Sequence, residues 1–366
     1  MTATAAALPR RSSTASEDLS TLDAISEAQR IAFAPMLYQA VGSMLDLGIL
    51  AFLDTRGTSG ATVDEVSGQC SVSTYGAAVL LEAGVSGRVV LQQGEKFLIA
   101  RAGRFLLHDK MTRVNFDFVR DVCYAGMAQL TEAVKTGKPA GLRVFGDWPT
   151  IYPALSSLPE PAKTSWFAFD HFYSDAAFGA ALGPVFSLRP GHIYDVGGNT
   201  GKWALRCVGH HPEVRVTVLD LPEQVALLKK NVAGAPGAER IEALPVDMLG
   251  ESPLPGEADV WWMSQFLDCF SEEQVIGILR RIRASMKPGA KVCILEPFCD
   301  RQTFDAGAFS LNAGSLYFTC LANGNSRFYR AKVFTGLVER AGLVVEQEVD
   351  KLGAGEHTLL VCARKN

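Results

Sequence analysis

The residues with the most chemistry in their spacing lie in the second half of this 366-residue chain. Asp195-Val196-Gly197-Gly198-Asn199-Thr200-Gly201 closes an apolar run and leads into Lys202-Trp203-Ala204-Leu205, the opening of a helix. Gly197, Gly198 and Gly201 permit a sharp strand-to-helix turn that brings backbone close to a ligand at the helix N-terminus. A second apolar run, Val214–Leu219, ends on Asp220-Leu221, and a third ends in Asp247-Met248. A carboxylate at the second strand tip can accept both hydroxyls of a ribose. Asp247 can hold the edge of an adenine ring, and the Met248 thioether its face. A glycine turn alone is a weak signal, because tight glycine turns also serve strand-to-helix packing. A nicotinamide-dependent dehydrogenase would carry one too. Its G-x-G-x-x-G spacing, set for a pyrophosphate, is not the Gly-Gly-Asn-Thr-Gly order seen here.

These residues need strands to carry them. From Pro190 onward, strand-like runs at His192–Val196, Val214–Leu219, Ile241–Val246, Asp259–Phe266, Lys291–Phe298, Leu343–Val349 and His357–Ala363 alternate with helical patterns. The clearest helix runs from Ser271 to Met286, with Ser271 at its N-cap and Glu272-Glu273 in its first turn. Such alternation predicts a doubly wound, mainly parallel α/β sheet. The last two runs are joined only around Gly353-Ala354-Gly355, too short for a crossover helix, so the final strand is expected antiparallel.

The first half reads differently. Residues 1–21 are expected to be a flexible tail. Apolar residues at helical spacing fill Leu22 to Phe52, broken at Gly48, and Thr62 with Glu65 forms a capping box. Another helix is expected from Ser73 to Ala83, then a hairpin of Gly87–Leu91 and Lys96–Ile99 around Gln92-Gln93-Gly94-Glu95. Three short helices and a hairpin make a winged-helix arrangement. Mostly helical texture continues to about Gly183, so domains are expected at 22–183 and 184–366.

Composition narrows the function. With 35 basic and 39 acidic residues the net charge is −4, which leaves no basic excess for nucleic acid or an anionic membrane. No run of about 18 apolar residues is present, so no membrane span is expected. Eight cysteines without a C-x-x-C pair predict reduced thiols in a cytoplasmic protein and no zinc site.

Tyr194–Gly201 resembles the first motif of S-adenosylmethionine-dependent methyltransferases. Val218-Leu219-Asp220-Leu221-Pro222-Glu223 is similar, more narrowly, to that of the plant-type and bacterial small-molecule O-methyltransferases. The resemblance spans nearly all of residues 22–366. It implies a class I methyltransferase, Rossmann-like seven-stranded sheet behind an N-terminal winged-helix dimerisation domain, hence a homodimer. It also implies S-adenosylmethionine as methyl donor, with Gly197, Asp220, Leu221, Asp247 and Met248 at matching cofactor positions, and no metal.

The catalytic positions depart from the family, whose fourth strand ends in a lysine followed by His-Asp-Trp, the histidine being the base that takes a phenolic proton. Matching the Ser271-Glu272-Glu273 helix start places Ser264 at the lysine, Asp268 at the histidine, Cys269 at the aspartate and Phe270 at the tryptophan. Ser264 and Gln265 are then expected beside the cofactor. Glu296 matches a second family acid, and Ser326 stands where a third would be. Asp268 and Glu296 are therefore the candidate catalytic residues, Asp268 as a base whose burial raises its pKa, or the two as a proton-sharing pair. The competing reading of Asp268 is a cap for the following helix. His171 and Tyr173 fall where the family places a pocket-lining helix, and Phe309 and Tyr317 are candidates to wall a flat acceptor.

The expected activity is methyl transfer to a small hydroxylated aromatic or polyketide-like acceptor in secondary metabolism, with oxygen slightly favoured. Loss of the histidine makes methylation of an activated ring carbon a serious alternative. A winged-helix ligand sensor is a third, opposed by the absence of Arg or Lys from Ser73 to Leu81.

Overall fold

The computed structural model describes residues 19–365. The expected tail, 1–21, lies outside them except for its last three residues. The chain divides into two compact units, one ending at Phe116 and the other running from Asp117.

In the first unit the Ser20 hydroxyl caps the helix Thr21–Asp46 by accepting from the Asp23 amide. Gly48, at φ 72°, separates it from Ile49–Arg56. The capping box is present: Thr62 and Glu65 satisfy each other's backbone at the start of Val63–Cys70. Ser73 caps Thr74–Ser86. Strands β1 (Val90–Gln93) and β2 (Lys96–Ile99) pair antiparallel. β1 starts later than expected because Gly87 ends the helix and Arg88 turns at φ 59°. Met44, Ile49, Leu50, Leu53 and Leu81 fill the core. Leu22, Ile25, Ile31, Phe33 and Met36 on the first helix are exposed.

The second unit is built on β3 (His192–Val196), β4 (Arg215–Asp220), β5 (Ile241–Pro245), β6 (Val260–Ser264), β7 (Lys291–Glu296), β8 (Leu343–Leu352) and β9 (His357–Arg364). Their order is β5-β4-β3-β6-β7-β9-β8. All pairs are parallel except those of β9, which runs antiparallel to both β7 and β8. This is the expected α/β sheet. Strands alternate between its faces: Trp261 and Met263 of β6 join one apolar cluster, Val260 and Trp262 the other. Burial on both sides explains why these strands read as unbroken apolar runs. Strand order reverses between β3 and β6, and ligands of open α/β sheets bind beyond the strand ends at such a point.

Residues 117–183, expected with the N-terminal half, belong to the second unit by compactness. They include most of the 25-residue helix Ala162–Phe186, and Phe118, Leu142 and Ile151 among them form a third apolar cluster with Tyr317 and Leu321. The alternation of strands and helices begins after that helix, at β3. Among the described residues no single helix is long and apolar enough to cross a membrane.

Candidate active site

A cavity of about 420 Å³ opens beyond the carboxyl ends of β3, β4 and β6. Gly197 turns at φ 71°, and a Cβ there would stand 2.3 Å from the Phe266 ring. A Cβ on Gly198 would reach 2.5 Å from Asp195 Oδ2. These two glycines bring bare backbone to the cavity wall. Gly201, at φ 82°, does something else: its α-carbon faces Val232 and Leu228, and it does not line the cavity. Its position is set by helix packing, which corrects its expected place at the ligand.

At the tip of β4, Asp220 accepts from the Asn199 amide at 2.9 Å and the Leu221 amide at 2.8 Å. Burial raises its pKa, and these two bonds oppose the rise. Asp220, Leu221, Asp247 and the buried Met248 all line the cavity. Asp247 also accepts from the Leu249 amide, which fixes its carboxylate. At the end of β6, Gln265 takes φ 45° and ends the strand short of the expected Phe266. Ser264 Oγ, Gln265 Oε1 and Asp195 Oδ2 are buried without hydrogen-bond partners, and all three residues line the cavity. Buried polar atoms without partners are costly, so this wall suits a ligand with donors and hydroxyls of its own. Together with the bare glycine cradle, the donor set fits a ribose-bearing cofactor.

The far end of the cavity is aromatic. Phe118 and Phe169 stack at 4.0 Å, and the Trp166 indole donates to the Tyr317 hydroxyl at 2.7 Å. Tyr173 and His171 line the cavity as expected, on the helix Ala162–Phe186. Burial, and secondarily Lys202, push the His171 pKa down. Phe309 is corrected: it is 75 % exposed and does not line the cavity. Its helix, Asp305–Tyr317, turns Leu311 and Tyr317 inward and Phe309 out.

Asp268 sits in a one-turn helix, Leu267–Cys269, and lines the cavity while only 4 % exposed. Burial pushes its pKa up to about 7; the Cys269 thiol, 3.4 Å from Oδ1, opposes the rise and Asp170 adds to it. It does not cap the next helix. Ser271 does, with Gln274 completing a capping box at the head of Glu272–Ser285.

Glu296 is also buried, but it does not line the cavity. Its Oε1 accepts from the Phe266 amide at 3.2 Å and the Leu267 amide at 3.0 Å. Burial first, then the Asp268 charge, raise its pKa well above the carboxylate range. Glu296, expected as a candidate catalytic residue, stands behind the turn that carries Asp268. No side-chain to side-chain hydrogen bond joins the two among the described residues, while the Asp268 backbone amide helps oppose the rise at Glu296. Ser326 is buried beside Asn323, whose amide also donates to the Cys269 carbonyl at 2.6 Å.

Asp170, Asp195 and Tyr152 line the cavity and were not singled out from the sequence. The spacing Trp166, Phe169, Asp170, Tyr173 is one helical face, and that signal would have found Asp170. Among the described residues no group of three His, Cys, Asp or Glu is placed to hold a metal.

Residues 185–344 match the O-methyltransferase domain family, and residues 26–97 match the Dimerisation2-like domain. Residues 185–344 are thus an O-methyltransferase domain by family match, preceded by a dimerisation-type domain. It is 21% identical over 340 residues to an L-tyrosine C(3)-methyltransferase of Streptomyces lavendulae, covering 91% of each chain. It is 29% identical over 241 residues to the mitomycin biosynthesis 6-O-methyltransferase of the same organism, covering 62% of each. Among solved structures it is similar to the S-adenosylmethionine-dependent methyltransferase SibL, with TM-score 0.72, 24% identity, and 93% of this chain against 100% of that one. The O-methyltransferase domain makes this chain a methyltransferase enzyme.

Proposed function

We propose that the enzyme methylates a hydroxyl of a small aromatic acceptor, with Asp268 as the group that takes the phenolic proton. In this reading the Gly197-Gly198 turn, Asp220, Leu221, Asp247, Met248, Ser264 and Gln265 hold S-adenosylmethionine. When bound, that cofactor supplies an electrophilic methyl group on a sulfonium. Asp220 accepts from the ribose, Met248 packs on the adenine, and the orphaned Ser264 and Gln265 oxygens find partners. Phe118, Phe169, Tyr173 and Tyr317 clamp the acceptor ring. Positioning of the hydroxyl supplies much of the rate, because transfer to a nucleophile needs an in-line approach.

The carrying observation is the burial of Asp268 at the cavity wall, which brings its pKa to about 7. A base works best with a pKa near the working pH, so this carboxylate is far better matched to a phenol than an exposed one. The protein acts as a homodimer through its first unit, whose leading helix exposes five large apolar side chains. We assign it no nucleic-acid or membrane partner and no metal, and place it in the cytoplasm, in keeping with its eight unpaired cysteines.

The second reading is methylation of a ring carbon beside a phenol, favoured by the full-length similarity to a tyrosine C-methyltransferase. The test is incubation of the purified enzyme with ¹³C-methyl-labelled S-adenosylmethionine and a panel of hydroxylated aromatic compounds, read by NMR. An oxygen-bound methyl supports the first reading and a carbon-bound methyl replaces it with the second.

A further inference from the structure

The acceptor end of the cavity holds a hydrogen-bond donor that the protein itself does not use. Tyr152 lines the cavity at the head of the short helix Tyr152–Ser157. The residue before it fixes its place, because Ile151 is fully buried and its amide donates to the Ala322 carbonyl at 2.8 Å. The Tyr152 hydroxyl is buried without a hydrogen-bond partner. Its polar neighbours are the Cys269 thiol, the Tyr317 hydroxyl and the Asp268 carboxylate. A thiol is a weak acceptor, and the Tyr317 oxygen is engaged by the Trp166 indole at 2.7 Å. Burial, first among the causes, raises the Tyr152 pKa, so the hydroxyl keeps its proton to donate. A buried donor left unpaired is costly, so a ligand that brings an acceptor atom to it is favoured.

Spacing and charge then define the atom that fits. The Cys269 thiol also stands 3.4 Å from Asp268 Oδ1, so the carboxylate and the Tyr152 hydroxyl share one sulfur neighbour and do not bond to each other. A ring hydroxyl facing Asp268 therefore leaves Tyr152 for a different oxygen of the same acceptor. Oxygens carried by adjacent ring carbons reach both groups at once. The second oxygen is uncharged. Among the described residues that line the cavity, Lys202 is the only Lys or Arg, and it pairs with Asp175. A carboxylate beside Asp268 would be buried next to a like charge with no cation to offset it.

We propose that Tyr152 sets the acceptor class, by donating to an uncharged oxygen carried by the ring carbon next to the one whose hydroxyl faces Asp268. That oxygen is a second hydroxyl or an acyl carbonyl. The favoured acceptors are therefore ortho-dihydroxy or ortho-hydroxycarbonyl aromatics, and a carboxylate at the same place is rejected. The assignment rests on the reading that the reacting hydroxyl faces Asp268. It makes Tyr152 a specificity-determining residue.

Binding to the enzyme loaded with S-adenosylhomocysteine tests it without requiring turnover. Phenol, catechol, salicylamide and salicylate are titrated in turn and followed by NMR. Catechol, salicylamide or both should bind about 3- to 10-fold tighter than phenol, the worth of one hydrogen bond. Salicylate should bind more weakly than salicylamide, which differs from it in charge and hardly in shape. In Tyr152→Phe the advantage over phenol should fall to about one, with S-adenosylhomocysteine affinity unchanged as the sign of an intact fold. Equal Kd values for phenol and both ortho compounds in the wild type would overturn the proposal, and so would binding by none of the four. An ortho advantage that survives in Tyr152→Phe, or salicylate binding as tightly as salicylamide, would overturn it as well. Asp268→Asn keeps the two readings apart: retained turnover there refutes the base, whereas the wild-type Kd comparison decides the Tyr152 assignment.

Discussion

Asp268→Asn isolates one carboxylate charge and leaves shape nearly unchanged, so its consequences can be worked from the structure. An asparagine Oδ1 can still accept from the Cys269 thiol, and the helix cap at Ser271 is untouched. If Asp268 takes the phenolic proton, turnover should fall about 100-fold to 10,000-fold, the usual worth of a general base, while affinity for S-adenosylhomocysteine stays put. In the wild type the base must be ionised, so kcat/KM should rise with pH, be half-maximal near the acidity of Asp268 at about 7, and level off above it. The variant should lose that limb.

Stability gives a second readout with an opposite sign. The folded-state pKa, about 7, is above the ordinary value of 3.8. The folded protein thus binds more protons than the unfolded chain between those pH values, and this group's contribution is lost as pH rises through 7. The rise corresponds to an upper limit of roughly 4 kcal/mol against the ionised folded state. Proton sharing with nearby acids lowers that figure, so the Asn variant should be more stable than wild type at pH 8 and lose most of the advantage by pH 5. Thermal melts at the two pH values, beside steady-state rates, supply the assay. Near-wild-type turnover with an unchanged pH profile would refute the base. Identical melting at pH 8 would refute the buried, ionisable Asp268 on which the argument stands.

Asp220→Ala should weaken S-adenosylhomocysteine by about 1.5–3 kcal/mol, the worth of hydrogen bonds to a charged group; unchanged affinity in calorimetry sinks the ribose assignment. Glu296→Ala should leave the Phe266 and Leu267 amides unpaired in the interior, at a cost of about 1–3 kcal/mol each, so melting temperature and turnover fall together. Glu296→Gln keeps an acceptor oxygen and should retain activity with the wild-type pH profile; a lost pH limb there would make Glu296 the titrating base. Light scattering at micromolar concentration should give twice the 39.4 kDa chain mass, and a value near 39.4 kDa would refute the homodimer.

What the sequence made legible, and what it did not, follows from the range of the interactions involved. β3 has the expected limits, and the caps at Thr62 and Ser271 are present, because strand periodicity and capping are decided within a few residues. The antiparallel β9 followed from the length of a loop. Gly201 and Phe309 were misplaced because both depend on which face of a helix meets a distant neighbour. Gly201 answers to Val232, 31 positions further on, and Phe309 shares a helix with the buried Tyr317 yet points the other way. Glu296 misled for the same reason: its partners are two amides about 30 residues back, so a carboxylate at a strand end became an anchor for a turn.

If Asp268 is the base, a long-range effect substitutes there for a side chain. An unperturbed histidine has a pKa of about 6.5 and an aspartate about 3.9, a gap that makes the exchange look disabling in the sequence. Burial moves this aspartate to about 7, across the whole of that gap. The wall that does so is assembled from the turn held by Glu296 and from the Ala162–Phe186 helix, which adds the Asp170 charge. Placing Asp268 on an exposed loop would return it to the ordinary range and remove it as a base. Proton affinity at this position is therefore a property of the enclosure, and an imidazole is one of two ways to reach it.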